Sequence, residues 1–208
     1  PSIAYWPSVS SLATSFIGKP FVVIAPGPSL GRNIHALARL KGRAVLCAVS
    51  HSLGALKRAE IVPDLVMAVD PQDYRYHFAD YPLDKIGALL LAATVHPPFF
   101  ALPARRIITF TANAAVESWI YESLGDGAAV ASGGSVSTSA FALAVAWQCD
   151  PIIFVGQALS YPDGRVYATG SVDEQSRVDA DGQGASYVMS GFSDGFSKLA
   201  IMGGAKTT

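Results

Sequence analysis

Charge is what this sequence has least of. Lys, Arg, Asp and Glu together make up 15% of its 208 residues, with 15 basic against 16 acidic side chains and a formal net charge of −1. Without a basic excess there is no electrostatic footprint for duplex nucleic acid or for an anionic membrane surface, so neither is expected as a partner. Cysteine is scarce as well: Cys47 and Cys149 are the two in the chain. Neither belongs to a C-x-x-C metal spacing and both lie in or beside apolar stretches, which predicts buried free thiols in a reducing compartment rather than a disulfide framework. Long apolar runs are also missing. The longest, residues 86–95 and 140–147, fall short of the roughly 18 residues a membrane helix needs. No basic region followed by an apolar core opens the chain, so no signal peptide is expected and the predicted location is cytoplasmic. The chain also begins without an initiator Met, which predicts a fragment of a longer product.

Apolar residues, by contrast, are abundant. They make up 50% of the chain, and the mean hydropathy is +0.33. With membrane insertion set aside, such apolarity points to strands buried on both faces, which read as continuous Val/Ile/Leu runs. The runs are there, at residues 21–25, 44–49, 65–69, 88–94, 106–110 and 151–155, with a shorter one at 128–132. Helical patterns separate them: about 31–41, 50–58 with Ser50 as a plausible N-cap, 113–124 ending at Gly125, and a long apolar stretch from Ser135 to about Gln148. Strands alternating with helices predict a mostly parallel sheet covered by helices on both faces, a three-layer αβα arrangement. The predicted organisation is an irregular segment over residues 1–18, an α/β domain over 19–165, and a Gly/Ser-rich extension over 166–208 that acts as a lid, an arm or a truncated subdomain.

In open parallel sheets ligands bind beyond the carboxyl ends of the strands. That rule selects a few loops. The first contains Gly27, Pro28 and Ser29: a glycine admits close backbone approach, and the next helix offers free amides to a phosphate or carboxylate. It is neither a Walker A loop nor a G-x-G-x-x-G fingerprint, because Pro28 interrupts the glycines. An ordinary strand-to-helix turn explains it equally well. The second contains Gly133, Gly134 and Ser135 ahead of the long helix, an anion site or a flexible loop with a Ser N-cap. The third is Asp70, before Pro71, placed to hold a ribose hydroxyl or a cation, or to be a solvated turn acid. Gly156, Gln157 and Tyr161 form the fourth. Asp64 is expected to cap the loop ahead of the third strand. Of the four histidines, His35 is expected on a helix surface, while His51 starts a helix beside the second strand's end and can face the site. No two histidines share a metal spacing on one helix face. Asp70, His51 and Gln157 are the catalytic candidates, and Asp70 the candidate metal ligand.

One ordered set of these motifs resembles a known family. It runs from Ile24 through Pro28, Ser29 and Leu30, to Pro63-Asp64 leading to Val69-Asp70-Pro71, to Gly133-Gly134-Ser135-Val136, and to Gly156-Gln157 with Leu159 and Tyr161. Over about residues 20 to 170 the chain looks like the motility-associated-factor (Maf) family and the related archaeal 6-hydroxymethylpterin diphosphokinase domain. The Pro-Ser loop is also similar to that of bacterial sialyltransferases that use CMP-sialic acid. The resemblance implies a Rossmann-like nucleotide-binding domain. In the Maf branch it implies transfer of a nonulosonic acid from a CMP donor to Ser or Thr of flagellin; in the archaeal branch, ATP- and magnesium-dependent pyrophosphoryl transfer to a pterin. Carried over by position, Gly27, Pro28 and Ser29, with Ser50 beside them, line the nucleotide, Asp70 lies near ribose or Mg, Gly133, Gly134 and Ser135 cradle the donor, and Gly156, Gln157 and Tyr161 close the site. Two departures stand out: Ala158 replaces a family Asp, and Tyr167 a family His. They leave room for a degenerate nucleotide-binding module without catalysis, and an oligomer is compatible with any of these readings.

Overall fold

The computed structural model describes residues 6–112, 119, 123, 130, 133–181, 184–188 and 199–201. The β-branched and leucine-rich runs become strands β1 (Phe21–Ile24), β2 (Val45–Val49), β3 (Leu65–Ala68), β4 (Ala88–Ala92), β5 (Ile107–Phe110) and β6 (Ile152–Val155), all parallel, in the spatial order β5-β4-β3-β2-β1-β6. Every residue of β1 to β5 is buried, as continuous apolar runs in a parallel sheet demand. The sixth strand differs. Ile153 and Phe154 are exposed because β6 is an edge with no strand beyond it among the described residues.

Helix α1 (Leu30–Leu37) follows β1 and α2 (Leu53–Arg58) follows β2, while α3 (Val136–Ala146) precedes β6 and packs on β1, β2 and β3. From β1 to β5 the chain moves steadily one way across the sheet; it then returns past β1 to lay down β6. Right-handed crossovers in opposite directions put their helices on opposite faces, so α3 covers one face and α1 and α2 the other. This is the three-layer, Rossmann-like α/β fold. The turn acid Asp64 ties the loop ahead of β3 to the start of β2: its carboxylate accepts from Leu46 N at 2.9 Å and from Lys41 Nζ at 2.8 Å.

Several local readings shift. Ser50 does not cap α2; it opens a single 3-10 turn, Ser50–Ser52, and α2 starts at Leu53. The long apolar helix ends at Ala146, before Trp147, whose indole N–H donates to Val9 O at 3.0 Å. The opening segment is less irregular than its composition predicts. A 3-10 turn, Val9–Ser15, is capped by Ser8, and Thr109 N donates to Pro7 O at 2.8 Å, so this segment shields the β5 edge. Beyond residue 176 the Gly/Ser-rich stretch forms a small antiparallel sheet of β7 (Arg177–Asp181), β8 (Gly184–Val188) and β9 (Leu199–Ile201), where apolar periodicity alone signalled no strands. The expected helix over residues 113–124, its Gly125 stop and the expected strand over 128–132 fall outside the described residues, save that Trp119 and Ser123 are helical and Val130 is not in a strand. Cys47 and Cys149 are buried free thiols, and no helix among the described residues is long and apolar enough to cross a membrane.

Candidate functional site

Strand order reverses at β1, which has β2 on one side and β6 on the other. At such a switch point the loops leaving the two neighbouring strands part in opposite directions and open a crevice at their carboxyl ends. Here those loops carry Gly27, Pro28 and Ser29 after β1, and Gly156, Gln157 and Tyr161 after β6. The glycines bring the loops together. Gly27 N donates to Gly156 O at 2.8 Å, and a Cβ on Gly27 would collide with that carbonyl oxygen. Gly156 has φ +79°, and a Cβ there would strike the Ala25 carbonyl. The close approach that needs glycine is therefore between the two loops themselves. Ser29 occupies the N-cap position of α1 without a side-chain cap bond, and Pro28 and Ser29 are half-buried beside it.

At α3 the second Gly/Ser loop closes on itself. Ser135 Oγ accepts from Thr138 N at 3.3 Å, and the Thr138 hydroxyl lies 3.2 Å from both Ser135 N and Gly133 N, a reciprocal capping box. The hydroxyl of Ser135 thus serves the helix, and Gly133, Gly134 and Ser135 stand exposed.

Across the carboxyl ends of the strands runs the segment 165–176. Ala168 N donates to Pro26 O at 2.7 Å, and Gly170 packs so closely on Gly54 of α2 that a Cβ on Gly54 would collide with the Gly170 carbonyl. This strap brings Tyr167 and Asp173 over the ends of β2 and β3. Asp173 is 3% exposed, with one carboxylate oxygen, Oδ2, 3.3 Å from His51 Nε2, 3.5 Å from His77 Nε2 and 3.2 Å from the Tyr76 hydroxyl that donates to it. His77, 2% exposed, sits with Nδ1 3.2 Å from the buried Ser50 Oγ. The Tyr167 ring stacks on His51 with centroids 4.9 Å apart, and the Tyr74 ring on His77 at 5.1 Å. Neither imidazole Nε2 makes a hydrogen bond of acceptable geometry, although both are buried. Burial pushes the His77 imidazole toward its neutral form, against the pull of Asp173. Burial also works to raise the Asp173 carboxyl, but the two imidazoles facing it overcome this and hold it well below the usual carboxylate range.

The sequence-predicted residues thus fall into separate places. Ser50 and His51 join the histidine cluster. Asp70 lies half-buried at the end of β3, where its carbonyl accepts from His96 N, and it stands outside the cluster. Gly27, Pro28, Ser29, Gly156 and Gln157 flank the β1–β6 crevice. Tyr161, 48% exposed, lies farther along the β6 loop, and His35 is exposed on α1. Sequence reasoning passed over His77, Tyr76 and Asp173. The rule about carboxyl ends of strands reaches His77, which lies on the loop begun by Asp70. Nothing local marks Asp173. Two hollows lie away from the cluster: one of about 160 Å³ between α1, α2 and Thr169 of the strap, and one of about 450 Å³ beneath the opening segment, lined by Trp6, Pro7 and Arg106.

These features define a doubly wound, Rossmann-like α/β domain with its polar residues gathered at the carboxyl ends of parallel strands. The family described as 6-hydroxymethylpterin diphosphokinase MptE-like matches residues 1–164, and the chain belongs to this MptE-like family. Among solved structures it is similar to the Maf glycosyltransferase from Magnetospirillum magneticum AMB-1, with a TM-score of 0.58 and 20% sequence identity over 68% of this chain. At that identity the likeness is one of fold, and the chain spans 23% of the length of that glycosyltransferase. No curated protein matches the sequence.

Proposed function

We propose that this chain is the nucleotide-binding part of a Maf-like transferase that moves a nonulosonic, sialic-acid-like sugar from a CMP donor to a Ser or Thr hydroxyl of a protein such as flagellin. The observation that carries the reading is the reversal of strand order at β1, with Gly27, Pro28, Ser29, Gly156 and Gln157 on its two sides, in a fold similar to a Maf glycosyltransferase. In this reading the first amides of α1 and the Ser29 hydroxyl hold the phosphate of the donor, where the helix dipole favours negative charge. Asp70, at the end of β3, takes a ribose hydroxyl or receives the acceptor's proton. The bond from the sugar's anomeric carbon to phosphate breaks as the bond to the acceptor oxygen forms, and CMP leaves carrying the electron pair.

The family description names a diphosphokinase, which favours a second reading: magnesium- and ATP-dependent pyrophosphoryl transfer, with Asp70 as a magnesium ligand. Ala158, standing where relatives are expected to carry an acid, weighs against it. Thermal stabilisation by CMP, CDP, ATP and GTP, each with and without magnesium, separates the two. A ligand that binds the native state raises the melting temperature by mass action. The transferase reading expects a CMP-selective rise without metal, lost in Ser29→Ala with Gln157→Ala. A rise confined to ATP with magnesium, abolished by Asp70→Ala, moves the assignment to the kinase. No rise with any nucleotide sinks both and leaves a module without catalysis.

A further inference from the structure

We propose that His51, His77 and Asp173 form a binding site for one divalent transition-metal ion of the zinc class, with three protein ligands and an open fourth position. This goes beyond the transfer reading and stands whether or not that reading survives. Among the described residues these three side chains bring a ligand atom each to within 4.8 Å of one another. Zinc-class ions bind imidazole nitrogen and carboxylate oxygen at about 2.0–2.2 Å, so two tetrahedral ligands lie about 3.4 Å apart. The two distances from Asp173 Oδ2, 3.3 Å to His51 Nε2 and 3.5 Å to His77 Nε2, match that spacing.

A proton shared between the groups explains the cluster less well. Both Nε2 atoms are buried and lack a hydrogen-bond partner, and the His77 side chain is fully buried. At these distances each would be a neighbour of the carboxylate, yet the geometry of neither is that of a hydrogen bond. His77 Nδ1 lies 3.2 Å from Ser50 Oγ; in the tautomer that carries the ring proton on Nδ1, the lone pair of Nε2 faces the lone pairs of the Asp173 carboxylate. That arrangement is repulsive in a dry setting unless a cation lies between. The outer contacts complete the pattern. Metal-binding imidazoles characteristically give their other ring nitrogen to a hydroxyl, carbonyl or carboxylate, and Ser50 Oγ stands 3.2 Å from His77 Nδ1 for that bond; ligating carboxylates accept a further bond, as Asp173 does from Tyr76. A set of two imidazoles and one carboxylate suits zinc, iron(II) or manganese, and the missing fourth ligand leaves a position for water or a substrate oxygen. The ligands come from three separate parts of the chain: the β2 end, the turn Arg75–Phe78 and the strap. A bound ion would therefore lock the strap to the sheet.

The test uses the full chain, freed of metal with a chelator and then titrated with Zn²⁺ and with Co²⁺ as a spectroscopic probe. The expected result is one equivalent bound per chain and a tetrahedral cobalt spectrum without a thiolate charge-transfer band. Ring signals of two histidines should shift in proton–nitrogen NMR, and the melting temperature should rise by about 5 °C or more at 100-fold excess over Kd. Asp173→Asn and His51→Gln, which keep side-chain volume, should weaken binding more than tenfold, and Ser50→Ala should weaken it by about 10-fold. No cobalt spectrum and no thermal shift, or a shift that Asp173→Asn leaves intact, overturns the proposal. Should the variants not fold, the NMR of the unaltered chain decides: unmoved histidine rings on addition of zinc overturn it equally.

Discussion

Tyr81 and Cys47 show how burial alone turns a side chain into a reporter of stability. The Tyr81 phenol donates to Ile61 O at 2.8 Å, and burial pushes it from 10.0 up to about 12. Cys47, in the middle of β2, is pushed from 9.0 to about 12, chiefly by burial. In both cases the native pKa is the higher one, so the unfolded chain loses its proton first. The stability these groups contribute is whole below about pH 9 and drains away as pH rises toward 12. Urea midpoints measured from pH 8 upward should therefore fall, and should fall less steeply in Tyr81→Phe; equal slopes would show that the phenol titrates normally. Cys47 should resist thiol reagents in the native state at pH 8, since the thiolate is the reactive species. At Gly27 the constraint is steric. Gly27→Ala sets a methyl against the Gly156 carbonyl and should cost about 2 kcal/mol or more in chemical denaturation. A cost within about 0.5 kcal/mol, the range of an ordinary surface change, would mean that the two loops part easily.

Among the elements, the strands were the most legible because each is an unbroken apolar run that no surface helix would show. Starts and stops were harder. Ser50 looks like an N-cap, yet its hydroxyl turns inward to His77, and α2 begins without a side-chain cap. Ser135 is the contrary case: its Gly/Ser loop reads as an anion cradle or as a loop with a Ser N-cap, and the N-cap is present as a capping box on α3. Ser135→Ala should lower stability by about 1 kcal/mol, as loss of an N-cap does. If the same variant also abolishes nucleotide binding at a concentration where it remains folded, the loop serves a ligand after all. The β6 edge was misleading in another way. Its sequence promises a buried strand, but Ile153 and Phe154 are exposed, with Phe154 against Phe141 of α3 at 5.5 Å between ring centroids. Apolar sequence predicts burial only where a neighbour exists to provide it.

For the whole molecule the decisive feature is the strap. It crosses the carboxyl ends of β1, β2 and β3 and is held by Pro26, Gly54 and the histidines rather than by regular structure of its own. Few apolar contacts anchor such a segment, so it should open at less cost than the sheet does. Gly54→Ala, which crowds the Gly170 carbonyl, should loosen it. Limited trypsin digestion should then cut faster after Arg165 and Arg177, with the cooperative melt of the sheet little changed. An unaltered cleavage rate would show that the strap docks without the Gly54 contact.

The sequence by itself determined the layer architecture, because a chain this apolar, this poor in charge and punctuated so regularly can bury its strands only in a parallel sheet with helices on both sides. It also marked the loops of the switch point and placed His51 at a strand end. Tertiary structure alone decided the rest. The strand order selects which two loops meet, and Gly27 and Gly156 let those loops touch. Asp173 lies in a Ser-, Gly- and Asp-rich stretch with no periodicity to mark it, nearly a hundred residues from its partner Tyr76. Its neighbours are set by where the strap lands on the sheet, a packing outcome that no local pattern encodes.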